Sequence, residues 1–203
     1  RDFRFVLQVC EIYSDVTGDL RQREKELTFI KQADAYIFSS VLLEKELNTE
    51  RRPYAVCLGQ YRPGPLLSER YDDGKCHVVY AGTFDPRKGG AAFAVEAAGY
   101  LPSSYHVHIL GFGNEKDTQN IVDLVAEVSS RSQCSVSYDG LLTGDAYTAF
   151  LQCCHIGLST QDPCASFNAT SFPSKILSYM SNGLRVVSIR IPAIETSEVD
   201  SIC

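Results

Sequence analysis

The chain is short of three things. No apolar run in its 203 residues approaches the length needed to cross a bilayer, and the N-terminus lacks a signal-peptide layout. There is no excess of positive charge: the formal net charge is −6 and the pI near 5.2. That balance argues against a protein that coats nucleic acid, while leaving room for a local basic pocket. No C-x-x-C pair occurs, and Cys153 and Cys154 are adjacent, a spacing that suits neither a zinc ribbon nor a redox couple. Repeats, low-complexity tracts and any Asp-x-Asp that would hold a metal are also missing; Asp72 and Asp73 sit in a turn-rich stretch.

What is present describes an ordinary globular chain, 44% apolar and 22% charged, with material for a core. Several of the eight cysteines stand in strand-like runs (VLQVCEI, AVCL, KCHVVY). There they are expected to be reduced core thiols, which points to a cytoplasmic protein. The sequence opens at Arg1 without a Met and ends at Cys203 soon after a strand pattern, so it reads as a piece of a longer protein without a closing helix.

Periodicity predicts a strand over residues 4–12, a loop over 13–19 and an amphipathic helix from Leu20 to Gln32. A strand at 35–38, a helix at 41–48 capped by Ser39 and Ser40, and a strand at 54–58 follow. Glu11 and Asp15 are candidate cleft residues, with a turn role the simpler one for Asp15. Turn formers crowd 59–75, the expected linker between two domains. From 76 onward, strands at 76–82, 105–110, 134–138, 155–159 and 184–189 alternate with helices near 89–100, 115–130, 144–153 and 174–182. Such alternation implies a parallel sheet covered by helices on both faces, with the post-strand loops gathered at one edge.

The stretch from Asp162 to Ser188 carries the strongest local signal. A loop of small polar residues leads to Pro173-Ser174-Lys175, a helix start suited to an anionic phosphate. His106 and His108 share one strand face and imitate a metal pair, but no third ligand stands near them in sequence, so a structural role is expected. Asn168-Ala169-Thr170 has the form of a glycosylation sequon, a triplet common by chance.

The blocks VVYAGTFDPRKGG, HVHILGFGNE, SYDGLLTGDAYTAFLQCCHIGLS and FPSKILSYMSNGLRVVS, in this order over about residues 76–191, resemble the donor-binding half of GT-B glycosyltransferases of the family 4/family 1 group. Residues 1–58 are similar to the end of that family's acceptor-side domain. The resemblance implies an α/β fold of GT-B type, with Rossmann-like parallel sheets in a fragment of a two-domain protein. Its domains would be 1–58, a 59–75 linker, and a truncated nucleotide-sugar domain at 76–203. It implies a hexosyltransferase-like enzyme that moves a sugar from a UDP- or GDP-linked donor to a glycan or lipid-linked acceptor. Anomeric configuration would be retained, and neither metal nor cofactor is expected. Polysaccharide biosynthesis in the cytoplasm would fit, with peripheral association at the inner membrane face left open and no amphipathic basic helix to show it.

By the same resemblance, Gly82, Thr83, Arg87, Lys88, Ser174 and Lys175 would meet the donor phosphates. Gly111, Gly113, Tyr138, Gly140, Leu141, Thr170, Ser171, Phe172 and Ser178 would meet nucleoside and sugar. The family's usual catalytic His lies upstream of residue 1 and no catalytic residue can be named. Two departures stand out. Thr83 replaces an Arg, which Arg87 could make up for. Thr170 and Ser178 fall where the family often carries two glutamates, and a lost charged acceptor for the ribose hydroxyls is worth roughly 1.5–3 kcal/mol. The alternatives are a non-catalytic degenerate donor domain, a sugar-nucleotide epimerase of the same fold, and a dinucleotide oxidoreductase suggested by Gly111-Phe112-Gly113. The last lacks the third glycine and the acidic partner.

Overall fold

The computed structural model describes residues 3–202 and divides into two compact units. The first comprises residues up to Gln60 together with Pro163–Ser174 and Arg190–Ile202. The second comprises Tyr61–Asp162 and Lys175–Ile189. This partition differs from the expected one. Residues 61–75 travel with the second unit, and two segments assigned to the C-terminal domain pack with the first.

In the first unit, β1 (Val6–Val9), β2 (Ala35–Phe38) and β3 (Tyr54–Val56) form a parallel sheet in the order β1-β2-β3. Its core gathers Val9, Ile12, Ile30, Ala33, Tyr36, Phe38, Leu43 and Leu47. The Tyr36 hydroxyl, carried into this core, donates to the Ile30 carbonyl at 3.0 Å. The expected loop at 13–19 contains a helix, α1 (Tyr13–Thr17), closed by Gly18 at φ 74°. Its N-terminal amides are satisfied from a distance: the Glu26 carboxylate accepts from Tyr13 N at 2.7 Å and Ser14 N at 2.9 Å. Asp15 lies in α1 and pairs with Arg23 at 2.8 Å. The helix expected from Leu20 to Gln32 opens as a 3-10 turn at Leu20–Gln22 before α2 (Arg23–Ile30). Next comes α3 (Val41–Leu47), whose Leu43 N donates to the Ser40 Oγ cap at 3.1 Å.

The second unit is a five-stranded parallel sheet built from β4 (Cys76–Thr83), β5 (Tyr105–Phe112), β6 (Ser135–Gly140), β7 (Ile156–Ser159) and β8 (Arg185–Ser188), in the order β6-β5-β4-β7-β8. This is a doubly wound order whose direction reverses beside β4. The covering helices are α4 (Gly90–Ala98), α5 (Glu115–Arg131), α6 (Gly144–Cys153) and α7 (Lys175–Ser181). The helix α4 is Ala-rich and buried along most of its length. In α5, Asn114 caps the N-terminus by accepting from Asp117 N at 2.8 Å; acidic Glu115 and Asp117 stand in the first turn and Arg131 in the last. A short helix the sequence reading did not expect, α8 (Pro192–Glu195), starts on a proline and belongs to the first unit.

The sheet has two unlike faces. Val78, Tyr80, Val107 and Ile109 pack with Ala91, Ala94, Val95, Ile121 and Val128 in one apolar cluster. The opposite face carries His77, Val79, His106 and His108, alternate residues of the same strands. The linker stretch is held onto this unit: Leu67 N donates to Gln152 Oε1 at 2.7 Å and Tyr71 N to the Cys153 carbonyl at 2.9 Å. Cysteine placement corrects the expectation of core thiols in part. Cys134 and Cys154 are buried, but Cys10 and Cys164 are exposed, Cys10 because it follows β1 on its outward face. Cys10, Cys57, Cys76, Cys134, Cys153 and Cys154 are free thiols. Asn168 of the sequon is buried in a 3-10 turn, so it is not presented for modification.

At the carboxyl ends of β4 and β5 the backbones come together. Gly111 sits opposite Gly82 in register, at φ 140°, and a Cβ on it would lie 1.8 Å from the Gly82 carbonyl oxygen. Gly111→Ala is therefore expected to cost more than about 2 kcal/mol, since the strand ends must part. At Gly140, φ 80° but with open space around it, alanine should cost only about 1–2 kcal/mol. Urea unfolding of the two variants checks the order.

Candidate functional site

The loops after β4, β5 and β6 define a cavity at the sheet's carboxyl edge. Its volume is about 200 Å³, and Ala81, Gly82, Thr83, Leu110, Gly111, Phe112, Leu141, Leu142 and Tyr147 line it. Four of the candidate residues thus share one pocket. A neighbouring depression of about 640 Å³ brings Thr83, Arg87 and Gly113 together with Phe84, Asp85 and Asn114. Tyr138 stands behind this edge and donates to the Gly111 carbonyl at 3.3 Å.

Lys175 is the charged group beside the cavity, set against Gly82 and outside the residues that line it. Its ammonium lies 4.0 Å from the centre of the Tyr80 ring, a cation–π contact. A Cβ on Gly82 would be 3.0 Å from Lys175 Nζ and 2.9 Å from the Tyr80 hydroxyl, so only glycine admits the lysine here. Gly90 is under the same constraint, since a Cβ there would press on the Thr160 carbonyl and the Tyr80 hydroxyl. Burial, and then the nearby Lys88 charge, push the Lys175 ammonium from its ordinary 10.5 down to about 7. A lysine in this state gains most when an anion arrives, because the anion restores its charge.

The other expected cations stand differently. The Arg87 guanidinium is engaged by Asp85 through Nε at 3.0 Å and Nη2 at 2.7 Å, and this pairing holds the Asp85 carboxyl below its usual range. Arg87 is thus tied to its own loop. Lys88 is partly buried, and its carbonyl accepts from Asp162 N at 2.8 Å. Ser178 hydrogen-bonds the Tyr147 hydroxyl, which burial keeps protonated to a higher pH than usual. Tyr147 and Leu142 line the cavity and were not singled out in the sequence. Their only signal was their position in the block after β6.

Thr170, Ser171, Phe172 and Ser174 belong to the first unit. Thr170 is buried there with its carbonyl accepting from Ser40 Oγ at 2.6 Å, and Phe172 is buried as well. The Ser171 hydroxyl is buried without a hydrogen-bond partner, a polar atom that still has bonding capacity. Ser174 is exposed, and α7 begins one residue later than expected, at Lys175.

Comparison of this fold with solved structures gives one class. The Anabaena protein HepE in complex with UDP and glucose superposes with a TM-score of 0.67 at 12% identity, over 92% of this chain and 53% of that one. The pneumococcal O-GlcNAc transferase GtfA with UDP and GlcNAc gives 0.60 at 13% identity, over 93% and 38%. An E. coli trehalose-6-phosphate structure bound with UDP-2-fluoro glucose gives 0.65 at 10% identity, over 99% and 56%. The chain therefore has the fold of GT-B glycosyltransferases and spans about half the length of the structures it matches. No family model and no curated protein matches its sequence.

The Lys175 environment makes a stability prediction. In the unfolded chain the group titrates near 10.5 and in the folded one near 7, so between these values the unfolded state binds the extra proton. Stability should accordingly rise as pH increases from about 7 to 10.5, and Lys175→Met should remove that rise and stabilise the chain most at pH 6. Denaturant midpoints measured across this range test the sign.

Proposed function

We propose that this chain is the donor-binding part of a glycosyltransferase that uses a nucleotide-linked sugar, with uridine as the base. The observation that carries the proposal is the lysine held against a glycine backbone at the carboxyl edge of a doubly wound sheet, beside a cavity of nucleoside dimensions. UDP or a UDP-sugar accompanies each of the three structures described above. In the transfer, the bond between the anomeric carbon and the diphosphate breaks, and negative charge gathers on the leaving phosphate. Lys175 in its charged form, with Lys88 near it, would stabilise that charge, a role electrostatics fills without a metal. The acceptor would be a glycan or lipid-linked saccharide and the configuration retained, in line with the family resemblance. Among the described residues no helix is long and apolar enough to cross a membrane.

The site residues divide accordingly. Gly82, Thr83, Lys88 and Lys175 serve the phosphates; Gly111, Gly113, Tyr138, Gly140, Leu141 and Tyr147 serve the nucleoside, Ser178 acting through Tyr147. Arg87 serves only after leaving Asp85. A degenerate donor domain is the second reading, favoured by that same Arg87–Asp85 pair and by Ser178 in place of a carboxylate.

Calorimetric titration of UDP, GDP and ADP separates the two. The expected result is binding of UDP in preference to the others, with Lys175→Ala weakening it at least about 10-fold, the loss of one charge-assisted contact. Affinity should fall as pH rises above 7, because Lys175 must take up a proton to bind. Absence of binding by any of the three at millimolar concentration, with the fold intact, would leave the degenerate domain.

A further inference from the structure

On the sheet face opposite the apolar cluster, and at the starts rather than the ends of the strands, three histidines meet. His77 lies opposite His106 in the β4–β5 register and His108 opposite Val79. His77 and His108 are buried, 3% and 4% exposed. Each of the three offers one ring nitrogen, and these nitrogens all lie within 4.8 Å of one another. The third ligand that the sequence did not place beside His106 and His108 is thus His77, brought in by strand pairing.

The outer nitrogens are already committed. His77 Nε2 pairs with the Asp73 carboxylate at 3.0 Å, and His108 Nδ1 with Asp139 at 3.1 Å. Carboxylates accept and do not donate, so both outer nitrogens carry hydrogen. That leaves His77 Nδ1 and His108 Nε2 facing each other at 2.8 Å as bare lone pairs whenever the rings are neutral. Something positive must lie between them. On the third ring, Nε2 pairs with Ser137 Oγ at 3.0 Å, and that hydroxyl in turn donates to Asp139 at 2.8 Å. The remaining His106 nitrogen is therefore a lone pair as well.

We infer that His77, His106 and His108 form a site for one divalent transition metal of the zinc class, separate from the donor cavity. A proton could be shared by only two of these rings, whereas a metal engages all three. An imidazole whose second nitrogen donates to a carboxylate is the usual supporting arrangement around such ions, and it occurs here twice. Nitrogen ligands suit zinc, copper, nickel and iron over calcium or magnesium. Tetrahedral Zn–N bonds of about 2.0–2.1 Å set ligand nitrogens about 3.3 Å apart, so His77 and His108 need separate by only about half an ångström. Tyr71 stacks on His77 at 4.0 Å and Phe150 meets His108 edge-on at 5.2 Å, closing the site from the linker and α6 sides. Partly exposed His106 and exposed Asp73 leave a way in and room for a water as fourth ligand.

The test is to strip the chain with a chelator and titrate Zn²⁺, and Co²⁺ as a visible-absorbing reporter of tetrahedral coordination. The expected result is one equivalent bound, a higher melting temperature with Zn²⁺, and loss of the Co²⁺ bands in His106→Gln. Asp139→Asn should retain uptake with an affinity about 10–100-fold weaker. Circular dichroism establishes that each variant is folded; should His106→Gln fail to fold, the Asp139→Asn comparison decides. Absence of saturable uptake would overturn the proposal in favour of a proton shared by His77 and His108. So would uptake that His106→Gln and Asp139→Asn leave unchanged, which would place the ions elsewhere, at the cysteines for example.

Discussion

The second unit depends on one close approach, the backbone of Gly111 against the carbonyl of Gly82. With a side chain at Gly111 the ends of β4 and β5 would diverge, and the loops after them would no longer share a wall. The same glycine at 82 leaves the space into which Lys175 reaches from α7. Tyr80 completes the arrangement, its ring under the ammonium and its hydroxyl against Gly82 and Gly90. A strand end, a helix start and an ammonium are thereby fixed within a few ångströms. The cost is a lysine taken out of water, and the lowered affinity of Lys175 for its proton is the measure of that cost.

The two faces of the sheet solve different problems. The face under α4 and α5 is a close-packed apolar layer whose stability follows from buried area. The opposite face holds polar groups that are individually expensive to bury; the buried Tyr179 hydroxyl finds partners there, while the Ser159 hydroxyl finds none. There Tyr179 is buried with its hydroxyl accepting from Ala81 N at 2.8 Å, and its ring fills the space a side chain at Gly157 would need. Below it, toward the strand starts, the histidines and their carboxylates form a continuous polar row from Asp73 to Asp139. The histidine cluster occupies one face at the strand starts, while the face under α4 and α5 supplies rigidity.

Much of this was legible in the sequence because it is local. The strand at 35–38, the helix at 144–153 and the alternation after residue 76 are carried by periodicity and by the cap at Ser40, each reading only its neighbours. The misses share a different cause. The helix α1 is stabilised by Glu26, which is remote in sequence from the amides it satisfies. His77 joins His106 and His108 only through strand register, which spacing does not reveal. The stretch 59–75 has a linker's composition, yet Leu67 and Tyr71 are held by Gln152 and Cys153. Arg87 reads as a phosphate ligand until the Asp85 carboxylate beside it is considered as a partner. In each case a long-range or competing contact decided the outcome.

The charge distribution at the cavity follows from these placements. Thr83 brings no charge where the resembling family has an arginine, and the nearest guanidinium, Arg87, is neutralised by Asp85 at contact distance. The positive potential that the proposed diphosphate would meet therefore rests on Lys175, with Lys88 close enough to lower its proton affinity. Two lysines that repel one another would become a favourable pair if the proposed dianion lay between them, since each would gain an opposite charge and the repulsion would be screened. An exposed arginine would remain charged whether or not a ligand was present. A partly buried lysine poised near neutrality couples its charge to the arrival of the anion. Under the proposed donor role, the binding energy of the phosphates would be realised through proton uptake at one residue, the residue that Gly82 makes room for.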